Sequence, residues 1–311
     1  MKHRILLSSI AFLAACQTVP PDPAPTEQAA EMGTDKVIQT AGQPAPPAAP
    51  TQGQQWLYGS AESRIALKQD WNAIASYVEA KAAARPNASV VLAPNTVSGA
   101  TAEAADFLAC NADQPLAAVF DADETLIWNL GSMGYFAREG IAFAPAIWDE
   151  WEKTGAGKAV AIPGVKDAFK RIRDAGVEII VNTNRSNTNI QGSADTLKAA
   201  GLGEFAHGRT LFLKGDAPGG SGKDGRRYMI SDTYCVIALA GDQLGDIADI
   251  FNDKALTPPE RKALTAAPAF DPMWGNGWFI LPNPVYGPSL AGSMEEVFPP
   301  ETDWSPPPTE E

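Results

Sequence analysis

The sequence predicts an α/β fold, a doubly wound parallel sheet with helices on both faces and a small, mostly helical cap. Short apolar runs of strand length alternate with segments of helical spacing, which is typical of a parallel sheet covered on both faces. The first three apolar runs are each followed at once by polar residues, as expected at the ligand-binding edge of such a sheet. With 311 residues, 45% of them hydrophobic, the chain can bury a sizeable core.

The predicted elements are short buried strands and longer amphipathic helices. The strands occupy residues 116–120, 178–181, 234–239 and 278–281. The helices occupy residues 60–84, 165–175 and 190–200, where proline or glycine marks the ends. In the first helix, the apolar residues at roughly helical spacing are Ile65, Trp71, Ile74 and Val78. The cap is expected largely from residues 126–160, together with this N-terminal helical segment.

The sequence predicts that both ends of the chain lie outside the folded domain. Residues 1–15 are a predicted signal peptide, because a basic start precedes an apolar run too short to span a bilayer. The end of this run resembles a bacterial lipoprotein cleavage box, with Cys16 as the lipidation site; the alternative is a plain secretory signal with an incidental cysteine. Residues 16–55 predict a disordered Pro/Ala-rich tether and residues 299–311 a Pro-rich tail, so the folded domain is 56–298.

Charge and composition exclude several kinds of function. The net charge of −13 opposes binding to nucleic-acid polymers, but not binding of a small phosphorylated molecule at a metal site. Two histidines leave almost no material for a zinc site or a Ser-His-Asp triad, so carboxylates must carry the chemistry. Cys110 and Cys235 either form a disulfide or remain two buried apolar thiols.

Carboxylates dominate the polar clusters that follow the predicted strands. Asp121 and Asp123 lie two residues apart, so an extended chain directs both side chains to the same side. Asp242 and Asp246 follow the third apolar run. Four carboxylates in one crevice repel one another unless a hard cation neutralises them, and oxygen ligands without His or Cys suit Mg2+. The sequence therefore predicts a magnesium site at the edge of the sheet.

The order of these clusters resembles the four motifs of the haloacid dehalogenase superfamily. The matching residues are Asp121-Ala-Asp-Glu-Thr, then Thr183, then Lys223, then the segment from Gly241 to Asp246. Other segments are similar to the bacterial class C acid phosphatases, also called outer-membrane 5'-nucleotidase lipoproteins: Ser60-Ala-Glu, Trp148-Asp-Glu-Trp, Ile162-Pro-Gly and Leu281-Pro-Asn-Pro-Val-Tyr-Gly. The resemblance covers about residues 56–290 and implies a haloacid dehalogenase-like fold.

The resemblance implies a Mg2+-dependent acid phosphatase that forms an aspartyl-phosphate and works best at acid pH. Asp121 would be the nucleophile. Asp123 would start protonated, because neighbouring carboxylates crowd it, and would act as acid to the leaving alcohol and then as base to water. Asp242 and Asp246 would hold the metal ion, joined by the Asp121 side chain and the backbone carbonyl of Asp123.

Phosphate binding is expected from the second and third motifs. Thr183 and Lys223 resemble the residues that bind phosphoryl oxygens in this superfamily. Lys214 lies in the same region as Lys223 and is the alternative for its role. Asn184 and Arg185 could shape the phosphate pocket, although an arginine in this place is often only part of a solvated ion pair.

The substrate is expected to be a small phosphomonoester, with nucleoside monophosphates as one candidate class. Trp148 and Tyr286 lie in segments that resemble the cap and closing loop of the family, where aromatic rings sandwich a nucleobase. Trp128, Tyr135 and Trp151 compete for this role, and any of these rings could equally be a core residue.

Two rival functions stay open. One rival is a broad-specificity phosphatase or phosphotransferase without nucleotide preference, and the other is a non-catalytic surface-binding lipoprotein. Intact carboxylates argue against the second, because a pure binder has no reason to keep them uncompensated.

The expected location is the bacterial outer membrane. Lipid on Cys16 would anchor the protein, and Gln17 after the cysteine resembles the signal for sorting to that membrane; the alternative is a periplasmic or secreted protein.

Overall fold

The computed structural model describes residues 49–94, 96, 99 and 101–307. The predicted signal peptide, the lipidation site Cys16 and most of the tether lie outside the described residues, as do residues 308–311 of the tail. Within the described ranges, no helix is both long enough and apolar enough to cross a bilayer.

Five parallel strands form the central sheet. In chain order, the strands are β1 Ala88–Leu92, β2 Phe107–Ala109, β3 Leu116–Phe120, β4 Ile127–Trp128, β5 Val160–Ala161, β6 Glu178–Ser186, β7 Leu211–Lys214, β8 Cys235–Gly241 and β9 Trp278–Ile280. The central sheet has the order β7-β6-β3-β8-β9, and every neighbouring pair in it is parallel. Two antiparallel ribbons, β1-β2 and β4-β5, lie outside this sheet.

Helices alternate with the strands of the sheet. They are α1 Gln52–Gln54, α2 Ala61–Ala84, α3 Leu130–Glu139, α4 Pro145–Thr154, α5 Val165–Asp174, α6 Ile190–Ala199, α7 Asp224–Ser231, α8 Pro258–Thr265 and α9 Met294–Val297. A short π-helical turn, Gln55–Gly59, joins α1 to α2. Ser60 starts α2 by accepting a hydrogen bond from the N–H of Ser63, and Arg85 ends it in a left-handed conformation.

Side chains of β3 alternate between two apolar cores, one on each face of the sheet. On one face, Trp71 of α2 packs against Phe120 of β3 and Phe169 of α5, with ring centroids 5.3 and 5.9 Å apart. On the other face, Trp278 of β9 packs edge-on against Phe251 at 5.7 Å. Both faces of the central strand are therefore covered, as the continuous apolar run predicted.

The predicted strands and helices all form, with ends shifted by a few residues. The strand predicted at 178–181 continues to Ser186. Helix α2 differs from its expected place in the cap, because its buried residues Trp71 and Ile74 pack it onto the sheet and α5. Ile65 has the same helical spacing but is 54% exposed. The fifth sheet strand, β7, was not predicted, since its four residues give too short a pattern.

The cap is a small insertion between β3 and α5. Residues 127–161 contain β4, α3, α4 and β5, and the β4-β5 ribbon closes the insertion at its base. Phe136 of α3 and Trp151 of α4 are the large buried side chains of its two helices. The insertion begins shortly after Asp121 and Asp123, so its helices lie beside the polar edge of the sheet.

Of the two alternatives for the cysteines, the bonded one forms. Cys110 and Cys235 are joined by a disulfide, and their Cα atoms lie 5.2 Å apart. The bond ties the segment after β2 to the first residue of β8, at the end of that strand opposite to its polar cluster.

Candidate active site

Three polar clusters meet at one edge of the central sheet. Asp121 and Asp242 directly follow β3 and β8, and Thr183 lies in the extended end of β6. The chain order reverses at β3, which leaves a crevice at the carboxyl ends of these strands. The crevice opens into a cavity of about 640 Å³, whose lining includes the predicted site residues Asp121, Asp123, Trp148, Asn184, Lys223, Asp242, Asp246 and Tyr286. Thr183 and Arg185 are buried behind this lining.

The carboxylates of Asp121, Asp242 and Asp246 form a compact cluster. One oxygen from each lies within 4.8 Å of the others. The buried ammonium of Lys223 forms an ion pair with Asp121 and another, 2.7 Å long, with Asp246. Three carboxylates thus face one ammonium in a site that is almost closed to solvent.

Two lysines were candidates for the third motif. Lys223 precedes α7, and besides its two ion pairs its Nζ donates to the backbone carbonyl of Asn182 at 2.7 Å. Lys214, at the end of β7, is exposed. The structure brings Lys223 to the carboxylate cluster, whereas Lys214 points to solvent.

Burial and mutual repulsion disfavour the ionised forms of Asp121 and Asp242. Burial raises the pKa of Asp121 well above its usual value; Lys223 opposes this shift, while the neighbouring carboxylates of Asp246 and Asp242 add to it. Burial and the charge of Asp246 likewise raise the pKa of Asp242 to about 7. A hard divalent cation would remove this repulsion, and a donor set made of oxygen alone suits such an ion. The residues present therefore fit a divalent metal ion.

Hydrogen bonds hold the Asp242 carboxylate from three segments of the chain. Thr125 donates to its Oδ1 at 3.2 Å, while Gln243 and Asn283 donate to its Oδ2 at 2.8 and 2.7 Å. The backbone N–H of Gln243 donates to Oδ2 of Asp246 at 2.9 Å. Donors that fix carboxylates in this way are typical of residues surrounding a metal site.

Three side chains donate hydrogen bonds to the carboxyl group of Asp123. Nε and Nη2 of the buried Arg185 donate to its Oδ1 at 2.9 and 2.8 Å, in a forked arrangement. Asn129 donates to the same oxygen at 2.9 Å, and the hydroxyl of Thr183 donates to Oδ2 at 3.4 Å. The forked contact with Arg185 was not predicted from the sequence, and such charge-assisted hydrogen bonds fix the orientation of the Asp123 side chain.

Buried arginines hold the loops around the site. Arg226 donates to the backbone carbonyl of Thr183 and, at 2.6 Å, to the side-chain oxygen of Asn184. Arg227 donates to the backbone carbonyl of Asp246 at 2.9 Å. These bonds link α7, which follows Lys223, to the second and fourth motifs.

Comparison with known proteins identifies the family. A family profile described as HAD superfamily, subfamily IIIB (acid phosphatase), matches residues 61–289, more than half of the chain. The chain belongs to this family. It is an acid phosphatase of subfamily IIIB, as the motif order predicted. A search of curated protein sequences finds no significant match.

Solved structures show the same fold. The class C acid phosphatase from Bacillus anthracis is 21% identical, with 76% of this chain and 84% of that chain covered and a TM-score of 0.58. The same phosphatase with tungstate bound matches over equal shares, with a TM-score of 0.59. At this identity the likeness shows the fold, and the predicted haloacid dehalogenase-like architecture is confirmed.

In this acid phosphatase, a buried Glu124 joins three separate parts of the chain. Its φ of 57° is uncommon for a residue other than glycine. Its carboxylate accepts hydrogen bonds from the hydroxyl of Tyr58 at 3.1 Å, from the backbone N–H of Asn129 at 2.9 Å, and from the hydroxyl of Tyr286. Burial, helped by the charge of Asp123, raises the pKa of Glu124 to about 7. Glu124 thus connects the N-terminal segment of Tyr58, the loop that follows β3 and the segment of Tyr286.

The aromatic residues predicted to bind the substrate lie in the cavity wall, but both have partners. The ring of Trp148 lies 5.9 Å from that of Phe143, and the guanidinium of Arg185 lies 5.9 Å from the centroid of the Trp148 ring. Tyr286 keeps its hydroxyl on Glu124. Phe143 is 63% exposed at the cavity mouth, so it offers the ring with most free surface.

The three competing aromatics do not line this cavity. Trp128 is buried and packs edge-on against Tyr58 at 5.9 Å. Trp151 is buried too, and its indole N–H donates to the side chain of Asn129 at 2.9 Å. Tyr135 is half exposed and packs against the neighbouring Phe136.

Sequence reasoning assigned no role to several residues that hydrogen-bond to the predicted site residues or to their loops. They are Glu124, Thr125, Asn129, Arg226, Arg227, Gln243 and Asn283. A signal existed for four of them, because Glu124 and Thr125 belong to the first motif, Gln243 lies between two motif aspartates, and Asn283 lies in a segment that resembles the family. No motif quoted from the sequence contains Asn129, Arg226 or Arg227.

Proposed function

We propose that this acid phosphatase hydrolyses phosphomonoesters with Mg2+ bound, through a phosphorylated Asp121. The observation that carries the proposal is the cluster of Asp121, Asp242 and Asp246 oxygens within 4.8 Å, beside the buried ammonium of Lys223. These three side chains and the backbone carbonyl of Asp123 would hold the ion. When bound, the ion supplies Lewis-acid stabilisation of the phosphoryl oxygens.

The protein's own residues would perform two displacements. A carboxylate oxygen of Asp121 attacks phosphorus, the bond from phosphorus to the ester oxygen breaks, and the departing alcohol takes a proton from Asp123. Water then attacks the phosphorus of the aspartyl-phosphate and gives a proton to Asp123, which releases inorganic phosphate and restores Asp121. Lys223 and the hydroxyl of Thr183 would stabilise the charge on the equatorial oxygens in both steps.

The contacts of Asp123 fit a role in the second step. Arg185 and Asn129 donate to its Oδ1 and so orient the side chain, whose carboxylate form would accept a proton from the attacking water. The first step needs a proton on Asp123. A phosphomonoester has a second pKa of about 6, so at acid pH the substrate arrives as a monoanion and could deliver this proton. Such delivery would agree with the acid optimum that the family resemblance implies.

We propose nucleoside monophosphates as the preferred substrates. The cavity that contains the carboxylates is walled by the rings of Phe143, Trp148 and Tyr286. Stacking of one nucleobase on an aromatic ring is worth about 1–3 kcal/mol. Phe143, the most exposed of the three, is the best placed to supply it. A broad-specificity phosphatase is the competing proposal, in which these rings provide only a general apolar mouth.

The test is an assay of the purified full chain with Mg2+ and with chelator. The substrates are p-nitrophenyl phosphate, a panel of nucleoside monophosphates and a simple alkyl phosphate. We expect Mg2+-dependent release of phosphate from all of them, with the lowest KM for nucleotides. Asp121→Asn should lower kcat by about a thousandfold or more. Asp232→Asn, which changes an exposed carboxylate after α7, is the matched control and should behave as wild type.

Each outcome of the assay has a defined meaning. The enzyme proposal fails if no phosphate is released in a metal-dependent manner. The assignment of the nucleophile fails if Asp121→Asn matches Asp232→Asn. Equal KM values for nucleotides and for the alkyl phosphate would favour the broad-specificity alternative.

We propose that lipid on Cys16 anchors the mature protein to the outer membrane. The support is the sequence of the leader, since Cys16 lies outside the described residues. An N-terminal lipid with more than one acyl chain binds stably to a membrane. Cys16→Ser should therefore move the protein from the membrane fraction to the soluble fraction. If the variant stays with membranes, the anchor is elsewhere; if the wild type is soluble, the protein is periplasmic or secreted.

A further inference from the structure

We infer that a second cavity, separate from the catalytic one, binds a small organic anion that carries an apolar body. This cavity has a volume of about 690 Å³ and lies between α2, α8 and the edge strand β9. No residue lines both cavities, and the proposed phosphoryl transfer uses none of the residues around the second one. We call it the α8 cavity.

Arg261 of α8 is the group that would bind the anion. Its Nε donates to the backbone carbonyl of Phe251 at 2.8 Å, which fixes the guanidinium in the wall. Within the described residues, no carboxylate forms an ion pair with Arg261, and its Nη2 is closed to solvent without a hydrogen-bond partner. Burial lowers the pKa of this guanidinium, and no neighbouring charge offsets the cost. Because Nε is engaged and Nη2 is closed to solvent, Nη1 is the nitrogen left to donate a charge-assisted hydrogen bond to a carboxylate, sulfonate or phosphate group.

The charges around the α8 cavity favour an anion. Arg261, Lys262 and Asp70 are its charged lining residues. Asp70 is partly buried, and burial raises its pKa. Two cations and one carboxyl group thus line this cavity in a protein whose net charge is −13. A local excess of positive charge on an acidic protein draws anions to this place.

The remaining lining of the α8 cavity is largely apolar and favours a ligand with an apolar group. Trp274, Phe279 and Ile280 line the cavity, and Ile280 is 39% exposed. The indole N–H of Trp274 donates to the backbone carbonyl of Thr265 at 2.8 Å, which fixes the plane of the ring. An inorganic anion would leave this surface in water, whereas an aromatic or branched aliphatic group would cover it.

The test measures the binding of two probes of the same shape to the full chain by calorimetric titration. Naphthalene-1-sulfonate carries the anion, and naphthalene-1-sulfonamide is neutral. Neither is a phosphoester, so the result does not depend on the proposed catalytic activity. We expect the sulfonate to bind about tenfold or more tightly than the sulfonamide, as a hydrogen bond to a charged group implies. Arg261→Met should remove this difference, while Arg209→Met, which changes an exposed arginine outside the cavity, should keep it.

A second variant is needed because Arg261→Met also removes the hydrogen bond to the backbone carbonyl of Phe251 and so can disturb the fold. Ala73 lies at an exposed position of α2 that lines the α8 cavity, so Ala73→Trp should fill the cavity and abolish binding with Arg261 intact. Phe143→Ala, in the catalytic cavity, should leave binding unchanged. The proposal is overturned if neither probe binds, if both bind equally well, or if Phe143→Ala weakens binding while Ala73→Trp does not.

Discussion

A Cβ atom on Gly53 would lie 1.9 Å from the carbonyl oxygen of Pro284, so only glycine allows these two segments to touch. Gly53 lies near the end of the segment predicted as a tether, residues 16–55, where the structure instead forms helix α1. Pro284 lies between Asn283, which donates to the carboxylate of Asp242, and Tyr286, which donates to the buried Glu124. Gln54, the next residue after Gly53, lines the catalytic cavity. The beginning of the folded domain is therefore part of the active-site wall.

Gly53→Ala should destabilise the fold and impair the enzyme. A methyl group cannot enter this contact unless two backbones separate, and such overpacking typically costs about 1–3 kcal/mol. The movement would displace Asn283 and Tyr286, so kcat/KM should fall as well. Both effects can be measured, by chemical denaturation and by hydrolysis of p-nitrophenyl phosphate.

The neighbouring Gly59 provides the matched control. A Cβ at Gly59 meets no heavy atom within 4 Å, although it lies in the same N-terminal segment. Gly59→Ala should therefore keep wild-type stability and activity. Equal behaviour of the two alanine variants would show that the contact between Gly53 and Pro284 does not shape the site.

Asp123→Asn should discriminate between leaving groups. In the proposed role of general acid, Asp123 would matter most when the departing alcohol needs a proton, and such catalysis contributes about 10²–10⁴-fold. We expect kcat/KM for an alkyl phosphate to fall by that range, and kcat/KM for p-nitrophenyl phosphate to fall much less. Asn keeps the shape of the side chain beside Arg185. Equal losses for the two substrates would rule out proton donation by Asp123.

Demand for Mg2+ should increase as the pH falls. The raised pKa of Asp242, about 7, means that a proton competes with the metal ion below that pH. The concentration of Mg2+ that gives half-maximal activity should therefore rise as the pH falls below about 7. Measuring activity against Mg2+ concentration on both sides of this pH is the test, and a constant requirement would contradict it.

The same shift has a consequence for stability. Asp242 has a higher pKa in the folded metal-free protein than in the unfolded chain, where its usual value applies. Protonation of this group therefore stabilises the metal-free fold increasingly as the pH falls from about 7, and contributes nothing above that pH. The difference in melting temperature between Mg2+ and chelator should shrink from about pH 8 to about pH 5. A difference that stays the same would show that Asp242 does not compete for the ion.

The sequence was sufficient for the architecture because the central strands are continuous apolar runs. Leu116–Phe120 is buried on both faces, and the polar residues that follow it could only lie at the sheet edge. The ordered motifs then placed Asp121, Asp242 and Lys223 together. β7 and the cap ribbon were missed, since strands of two to four residues leave too weak a period.

The arrangement around Asp123 and Glu124 could not be predicted. Arg185 has several possible acidic partners in sequence, and only the packing of β6 against β3 brings it to Asp123. The donors to Glu124 come from Tyr58 and Tyr286, which are 66 and 162 residues away along the chain. Such pairings depend on the tertiary fold, and no local spacing encodes them.

Reduction of the disulfide should lower stability but spare the chemistry. Cys110 and Cys235 are 125 residues apart, so their bond restricts a long loop in the unfolded chain, and its loss typically costs about 2–5 kcal/mol. Cys235 starts β8 and Asp242 follows its end, roughly 20 Å away at 3.3 Å per residue. Denaturation midpoints should therefore fall on addition of dithiothreitol, while kcat at low temperature stays close to that of the oxidised enzyme. The variant with both Cys110→Ser and Cys235→Ser is the control, because its midpoint should match that of the reduced protein and not respond to dithiothreitol. A midpoint that reductant leaves unchanged in the wild type would contradict a stabilising disulfide, and a loss of kcat in fully folded reduced enzyme would show that the bond also shapes the active site.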